Sequence, residues 1–285
     1  MKKFAQWLGF PLVVLLVVLI SSASAVSDNK LHVHFLDVGQ GDAVLIRTPS
    51  RQTILIDGGT SPELLNLELG RRLPFWDHTI DLIILTHPHD DHLAGLVDVL
   101  RRYDVKRVVQ PDVEYTSSTH GEWQRLISEK AIKTTYASAG GQIDLSGNIY
   151  LEVINPQANY IEETSSDIDN NAMVLRLVYN DISFLFTADI GTQAERKLID
   201  NGWELNSEVL KVAHHGSNTS ISDKFIRVIS PDVAVISVGA DNKFGHPSND
   251  VLDRLSDTQV FRTDINGTIE FITDGSRLWQ KSEKQ

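Results

Sequence analysis

The 285-residue sequence contains no cysteine, and its 26 Lys plus Arg fall well short of its 38 Asp plus Glu. Without cysteine there is no disulfide, no thiolate zinc site, no thiol nucleophile and no lipid-anchored cysteine, so any metal has to be held by histidine and carboxylate. Ten histidines are available for that task. The formal charge of −12 makes the bulk field repel nucleic acid and anionic lipid, so any grip on a polyanion has to be local. A long apolar run is also missing. The segment Leu8 to Ile20 covers 13 residues, against the roughly 20 that a spanning helix needs. Lys2 and Lys3 precede it and Ser21-Ser22-Ala23-Ser24-Ala25 follow, the pattern of a secretory signal peptide over residues 1–25; the alternative is an uncleaved N-terminal anchor. Cleavage after Ala25 leaves 24 basic against 38 acidic residues in an exported chain, periplasmic or extracellular, with no later segment apolar enough to hold it in a bilayer.

What is present is core-forming material: 41% hydrophobic and 22% charged residues exclude disorder and a collagen-like chain. Short strand-like runs at Leu31 to Leu36, Ala43 to Arg47 and Thr53 to Ile56 are punctuated by Gly39-Gln40-Gly41 and Asp57-Gly58-Gly59. Apolar strands then alternate with helical patterns at Pro62 to Arg72, Leu93 to Arg101 and Gly121 to Lys130. A second strand-rich stretch holds Ile149 to Ile154, Ala172 to Tyr179 and Ile182 to Thr187, and helices and strands alternate again to a final strand pair near Thr268 to Ile272 and Arg277 to Trp279. Two strand-rich halves, each followed by helices, predict an α/β fold of two sheets face to face with helices outside. No linker separates them, so residues 26–285 read as one domain. The polar, acidic stretch Asn155 to Asn171 reads as a long surface loop.

Thr86-His87-Pro88-His89-Asp90-Asp91-His92 follows the apolar strand ending at Leu85 and precedes a helix. Residues two apart in an extended stretch point the same way, so His87 and His89 converge on one ion, while Asp91 and His92 turn towards a second. So many ligand-type side chains in six residues make a poor packing surface. The apolar run Ser183 to Thr187 ends in Asp189, whose two oxygens suit a bridge between cations, although alone it reads as a turn or cap residue. Val209 to Ala213 ends in His214-His215-Gly216-Ser217, with the choice of ligand between the two histidines open. Three strand ends supplying ligands describe a two-cation hydrolytic site that activates a water.

These motifs resemble the metallo-β-lactamase superfamily. More narrowly, Phe35-Leu36-Asp37-Val38-Gly39-Gln40-Gly41-Asp42-Ala43, Leu210-Lys211-Val212-Ala213-His214-His215-Gly216-Ser217 and Gly245-His246-Pro247-Ser248 resemble the metallohydrolase domain of ComEC competence proteins, without that family's membrane channel. The resemblance implies a four-layer αββα sandwich with a di-metal site at the sheet edges. It also implies that Asp37, Asp42, Asp57 and Asn171 support the ligands from behind, and that His246 is a site residue suited to serve the leaving oxygen. One departure stands out. Many relatives place a further histidine between the His-rich loop and the bridging Asp, but no histidine occurs from Gly121 to Lys211, and Asp169-Asn170-Asn171 fills that place. A first ion held by His87, His89 and Asp189 is then expected to be bound more weakly. Zn²⁺ and Mn²⁺ both fit nitrogen and oxygen ligands.

Ser217 and Asn218 lead towards a helix near Ser222, and His246 and Ser248 lead into one near Asn249; two helix N-termini would suit a phosphate, while the plainer reading is capping by serine. His32, His34, His78 and His120 read as surface residues, and Pro74-Phe75-Trp76 as a loop tucked onto the core. The expected activity is hydrolysis of a phosphodiester in extracellular DNA or nucleotides, in a competence or uptake setting, with Asp91 and His246 catalytic. A lactonase or β-lactamase, and a non-enzymatic domain aiding DNA uptake, are the alternatives.

Overall fold

A computed structural model of the protein describes residues 28–164 and 166–284. The expected signal peptide lies outside the described residues. Seventeen strands among the described residues form an eight-stranded sheet in the order β17-β16-β1-β2-β3-β5-β7-β8, a seven-stranded sheet in the order β15-β14-β13-β12-β11-β10-β9, and a small β4-β6 pair. In chain order the first sheet contains β1 (Leu31–Phe35), β2 (Val44–Arg47), β3 (Thr53–Ile56), β5 (Leu82–Ile84), β7 (Arg107–Pro111) and β8 (Lys133–Ala137), with β4 (Thr79–Ile80) and β6 (Asp104–Val105) beside it. The second contains β9 (Gln142–Asp144), β10 (Ile149–Asn155), β11 (Val174–Tyr179), β12 (Ile182–Phe186), β13 (Val209–Lys211), β14 (Val233–Ile236) and β15 (Gln259–Arg262). The closing hairpin β16 (Ile269–Thr273) and β17 (Leu278–Ser282) crosses back to the first sheet, where β16 runs antiparallel to β1.

Period-two alternation sorts the strand residues into layers. Ile54 and Ile56 of β3, and Phe184 and Phe186 of β12, enter the core between the sheets. Leu55 packs outward against α1 (Pro62–Arg72), α2 (Asp90–Arg102) and α3 (Ser118–Glu129), through Leu65, Leu96 and Trp123. Leu185 packs outward against α5 (Thr192–Asp200) and α6 (Asp223–Ile229), through Leu198 and Phe225. The result is the four-layer αββα sandwich. Within the described residues no helix is long and apolar enough to cross a membrane.

Several expectations need correction. The end of the Asn155 to Asn171 stretch is buried and forms the short helix α4 (Asp167–Asn170), because Asn155 Nδ2 donates to the carbonyls of Asn170 (3.1 Å) and Ala172 (2.8 Å). Phe75 and Trp76 do not tuck onto the core: they are 78% and 49% exposed and pack edge-on against each other. His34 is buried, since β16 sets Glu270 opposite it, and His32 is half-buried with Nδ1 2.7 Å from the same carboxylate. His120 is half-buried too and donates to the Tyr115 carbonyl (2.8 Å). The edge strands β9 and β15 carry too few buried side chains to alternate legibly: β9 buries Ile143 alone and β15 buries none fully.

Gly95 of α2 sits against the Gly58-Gly59 turn, its N–H donating to the Gly59 carbonyl (3.0 Å), and a Cβ there would lie 2.0 Å from the Gly58 oxygen. Helix propensity alone would make Gly95→Ala stabilising by about 1 kcal/mol; the clash reverses the sign, for a net loss of about 1–2 kcal/mol. A denaturation midpoint at or above that of the unsubstituted protein would contradict this packing.

Candidate metal centre

The loops after β3, β5, β12 and β13 carry Asp57, the His87 to His92 segment, Asp189 and the His214-His215 pair, and the loop before β2 carries Asp42. Backbone strain gathers at these strand ends. Asp57, Ala188, His214 and His215 adopt φ of 58°, 45°, 52° and 54°, the left-handed region that costs of order 1–3 kcal/mol for a non-glycine residue and is kept where surrounding structure enforces it.

Asp57 is the hinge of the hydrogen-bond network. It accepts from Thr86 N (2.8 Å), Thr86 Oγ1 (2.6 Å) and His92 Nδ1 (2.8 Å). Since the threonine proton goes to Asp57, Thr86 Oγ1 accepts from His87 Nδ1 at 3.1 Å. His215 Nδ1 donates to the Ser237 carbonyl at 2.9 Å and lies 3.3 Å from Asp42, whose other oxygen forms an ion pair with the buried Lys211. Each Nδ1–H is thus engaged, and each Nε2 faces inward without a hydrogen-bond partner, the nitrogen that a cation would take once any proton on it is released.

The orphans tell the same story. His87 Nε2, His92 Nε2, His215 Nε2, Asp169 Oδ1 and Asp189 Oδ1 are buried without a hydrogen-bond partner, an arrangement that is costly unless a ligand completes it. They belong to two groups whose ligand atoms lie within 4.8 Å of one another: Asp91, His92, Asp189 and His215 in one, His87, His89 and Asp169 in the other. In the first, His92 Nε2 is 3.3 Å and His215 Nε2 3.4 Å from Asp189 Oδ2, and His215 Nε2 is 3.3 Å from Asp91 Oδ2. In the second, Asp169 Oδ1 lies 3.0 Å from His89 Nδ1 and 3.7 Å from His87 Nε2. This nitrogen and oxygen set fits divalent cations.

The charges are strongly polarised. Burial alone would keep His92 and His215 neutral, yet the carboxylates of Asp189 and Asp57 for the first, and of Asp189 and Asp42 for the second, outweigh it and hold both imidazoles well above their usual pKa. Burial would raise Asp189, but His215 and His92 hold it well below the usual carboxylate range. His87 goes the other way: burial, with repulsion from His92, brings it to about 3 and leaves it neutral.

Of the adjacent histidines, His215 joins the cluster, whereas His214 is half-exposed with its ring 5.9 Å from that of His246. His246 stands at this rim with Nδ1 buried and unpartnered. Other expected residues are not brought in. Asp37 closes a turn on Gly39 (3.4 Å) and meets Lys284 (3.5 Å). Ser217 bonds Thr219 (2.9 Å), and Asn218 is exposed. Ser248 caps the six-residue helix α7 (Asn249–Arg254) through Val251 N, and Ser222 caps the seven-residue α6, so these helix starts are already satisfied. Asn171 faces away, bonding the backbone of Ile161 in both directions (2.8 and 2.7 Å) and Asp167 O (2.7 Å). It supports the turn that presents Asp169, which sequence reasoning left off the site. The one available signal was a carboxylate in the stretch that fills the histidine gap. Lys211 was also missed, although a lysine inside the apolar run Val209 to Ala213 is itself a sign of a buried charge.

The sequence model of the metallo-beta-lactamase superfamily matches residues 36–240. The chain belongs to this superfamily. It is 29% identical to ComE operon protein 3 of Bacillus subtilis (strain 168) over 257 residues, covering 84% of this chain and 32% of the relative. It is 31% identical to competence protein ComA of Neisseria gonorrhoeae, covering 87% and 33%. The superfamily member thus spans about a third of the length of these relatives. Its fold is similar to that of the metallo-beta-lactamase fold protein YhfI from Bacillus subtilis, at a TM-score of 0.58 and 12% identity, covering 88% of this chain and all of that one. A metallo-beta-lactamase superfamily member with competence-protein homologues and candidate metal-binding residues is the description these findings support.

Gly41 lets the first loop close on the centre: Asp42 N donates to Asp91 O (3.1 Å), and a Cβ on Gly41, at φ 108°, would lie 2.0 Å from that oxygen. Gly41→Ala is expected to push the first turn of α2 outward, lowering stability by about 1–3 kcal/mol and weakening cation uptake. Calorimetric metal titration together with chemical denaturation checks both; unchanged uptake would mean that Asp91 does not depend on this closure.

Proposed function

We propose that the protein is an exported, di-metal-dependent phosphodiesterase acting on DNA or nucleotides at the cell envelope. The observation that carries this reading is the set of inward-facing His Nε2 atoms and carboxylate oxygens without partners, with the His87, His92 and His215 imidazoles backed on the opposite side by protein hydrogen bonds. In this reading Asp91, His92, Asp189 and His215 would hold one cation, and His87, His89 and Asp169 the other. Two ions, Zn²⁺ or Mn²⁺, would activate a water at neutral pH and offset the charge that develops on the attacked group. Asp169 would complete the His87 and His89 set, supplying a third ligand where no histidine is available.

The chain's own residues do the rest. Asp57 and Asp42 fix the orientation of His92 and His215, and Lys211 offsets the buried charge of Asp42. In this reading His246, at the rim beside His214, would pass a proton to a leaving oxygen. Two competence proteins among the relatives support a phosphodiester over a carboxyl substrate and support an envelope location, in line with the expected export segment.

Asp91→Ala and Asp169→Ala should each lose cation stoichiometry and abolish cleavage of oligonucleotides, with the circular dichroism spectrum retained; full turnover in either variant would sink the assignment. His246→Ala should keep its metal while slowing turnover by about 10²-fold or more, the scale of a lost general acid. Because His92 and His215 hold protons above the usual histidine range in the metal-free protein, cation uptake should release protons, and apparent affinity should fall as pH drops. Titration in buffers of different ionisation enthalpy checks this, and a pH-independent affinity would contradict it. Metal-dependent digestion of single-stranded DNA, absent in Asp91→Ala, tests the substrate class; hydrolysis of a lactone or β-lactam instead would replace it.

A further inference from the structure

A continuous line of rings crosses the metal centre and ends in an accessible aromatic on each side. From one end, Phe244 lies 5.8 Å from His246 at 27°, His246 5.9 Å from His214, and His214 6.2 Å from His215. The line continues through His92 at 5.5 Å, His87 at 4.1 Å and His89 at 4.7 Å, and closes on Tyr115, 5.5 Å from His89. Phe244 is 68% exposed and is stacked on His246. Tyr115 is half-exposed.

The loops that carry both rings are held by hydrogen bonds to their own backbone. Asn242 organises the first loop, accepting from Phe244 N (3.2 Å) and His246 N (3.0 Å) and donating to the carbonyls of Gly239 (2.9 Å) and His246 (2.7 Å). His120 fixes the second by donating to the Tyr115 carbonyl (2.8 Å), and Tyr160 donates to the Asp112 carbonyl (2.9 Å) in the same loop. A large apolar ring fixed in water at the mouth of a polar site has little to do for the core. A flat partner gains from it without a further ordering cost.

We propose that Phe244 and Tyr115 form two nucleobase-stacking subsites, one on each side of the scissile phosphate, which select single-stranded over duplex nucleic acid. This rests on the phosphodiesterase reading above. A chain with formal charge −12 cannot gather DNA by its bulk field, so affinity has to come from the metal centre and from contacts that ignore backbone charge. Base stacking is such a contact, it tolerates any sequence, and it requires bases already free of their pairing partners.

The test measures binding of a hydrolysis-resistant, phosphorothioate-linked heptadeoxynucleotide carrying 2-aminopurine to the Mn²⁺-loaded full chain, by fluorescence quenching. The single strand should bind more tightly than its duplex and more tightly than the same strand with abasic residues flanking the central linkage. Phe244→Ala and Tyr115→Ala should each weaken binding of the intact strand by about 5- to 150-fold and leave binding of the abasic strand unchanged, whereas Phe244→Trp and Tyr115→Phe should retain the affinity. Metal content verifies that the variants are folded. Equal affinity of the unsubstituted protein for intact and abasic strands, or equally tight duplex binding, overturns the subsites without recourse to any variant. Hydrolysis of the ordinary phosphodiester strand is scored separately: aromatic-dependent binding without cleavage would remove the nuclease reading and leave the subsites, while cleavage indifferent to both rings would do the reverse.

Discussion

The structure depends on one constraint, the compensation of buried charge around Asp189. Its carboxylate is buried between His92, delivered by the first sheet, and His215, delivered by the second. An unpaired carboxylate at such a position would cost several kcal/mol, so neither sheet is electrostatically complete without the other. The same exchange recurs across the cleft: Asp42 of the first half meets His215 and Lys211 of the second, and Met173 N donates to the Thr86 carbonyl at 2.9 Å. The aromatic cluster of Phe35, Phe184, Phe186 and Phe271 lies between the sheets. It sets their separation, and with it the distance between the two halves of the centre.

Ligand orientation follows from hydrogen bonds one step removed from the centre. Thr86 Oγ1 donates to Asp57, which holds His92, and accepts from His87 Nδ1, so a single side chain helps fix two imidazoles. The left-handed backbone at Asp57, Ala188, His214 and His215 is the conformational cost of turning each strand end sharply inward. That cost is offset by burial of the sandwich layers, which is why the ligands sit at strand ends and not on freely moving loops.

Legibility in the sequence tracked the range of the interaction. His87, His89, Asp91 and His92 fall in six consecutive residues on a strand-to-helix turn, and their convergence needs only local geometry. Asp189 and the His214-His215 pair were readable because each ends an apolar run. Asp169 was not, since its role depends on Asn155, Asn170 and Asn171 folding a polar stretch inward, and nothing in that composition distinguishes it from a surface loop. Phe75 and Trp76 failed for the opposite reason: aromatic character predicts burial on average, but their turn carries them away from every layer.

The sequence by itself determined the layers, because period-two alternation assigns each strand residue to one face, and it determined the donor chemistry, because without cysteine only histidine and carboxylate remain. The tertiary structure decided three further things: that His215 and not His214 joins the cluster, that Asp169 is brought to His87 and His89, and that β16 returns to pair with β1 and buries His34. Each of these rests on a contact between segments far apart in the chain. Local pattern fixes which way a side chain leaves its own strand, whereas only the packed sheets fix what it meets.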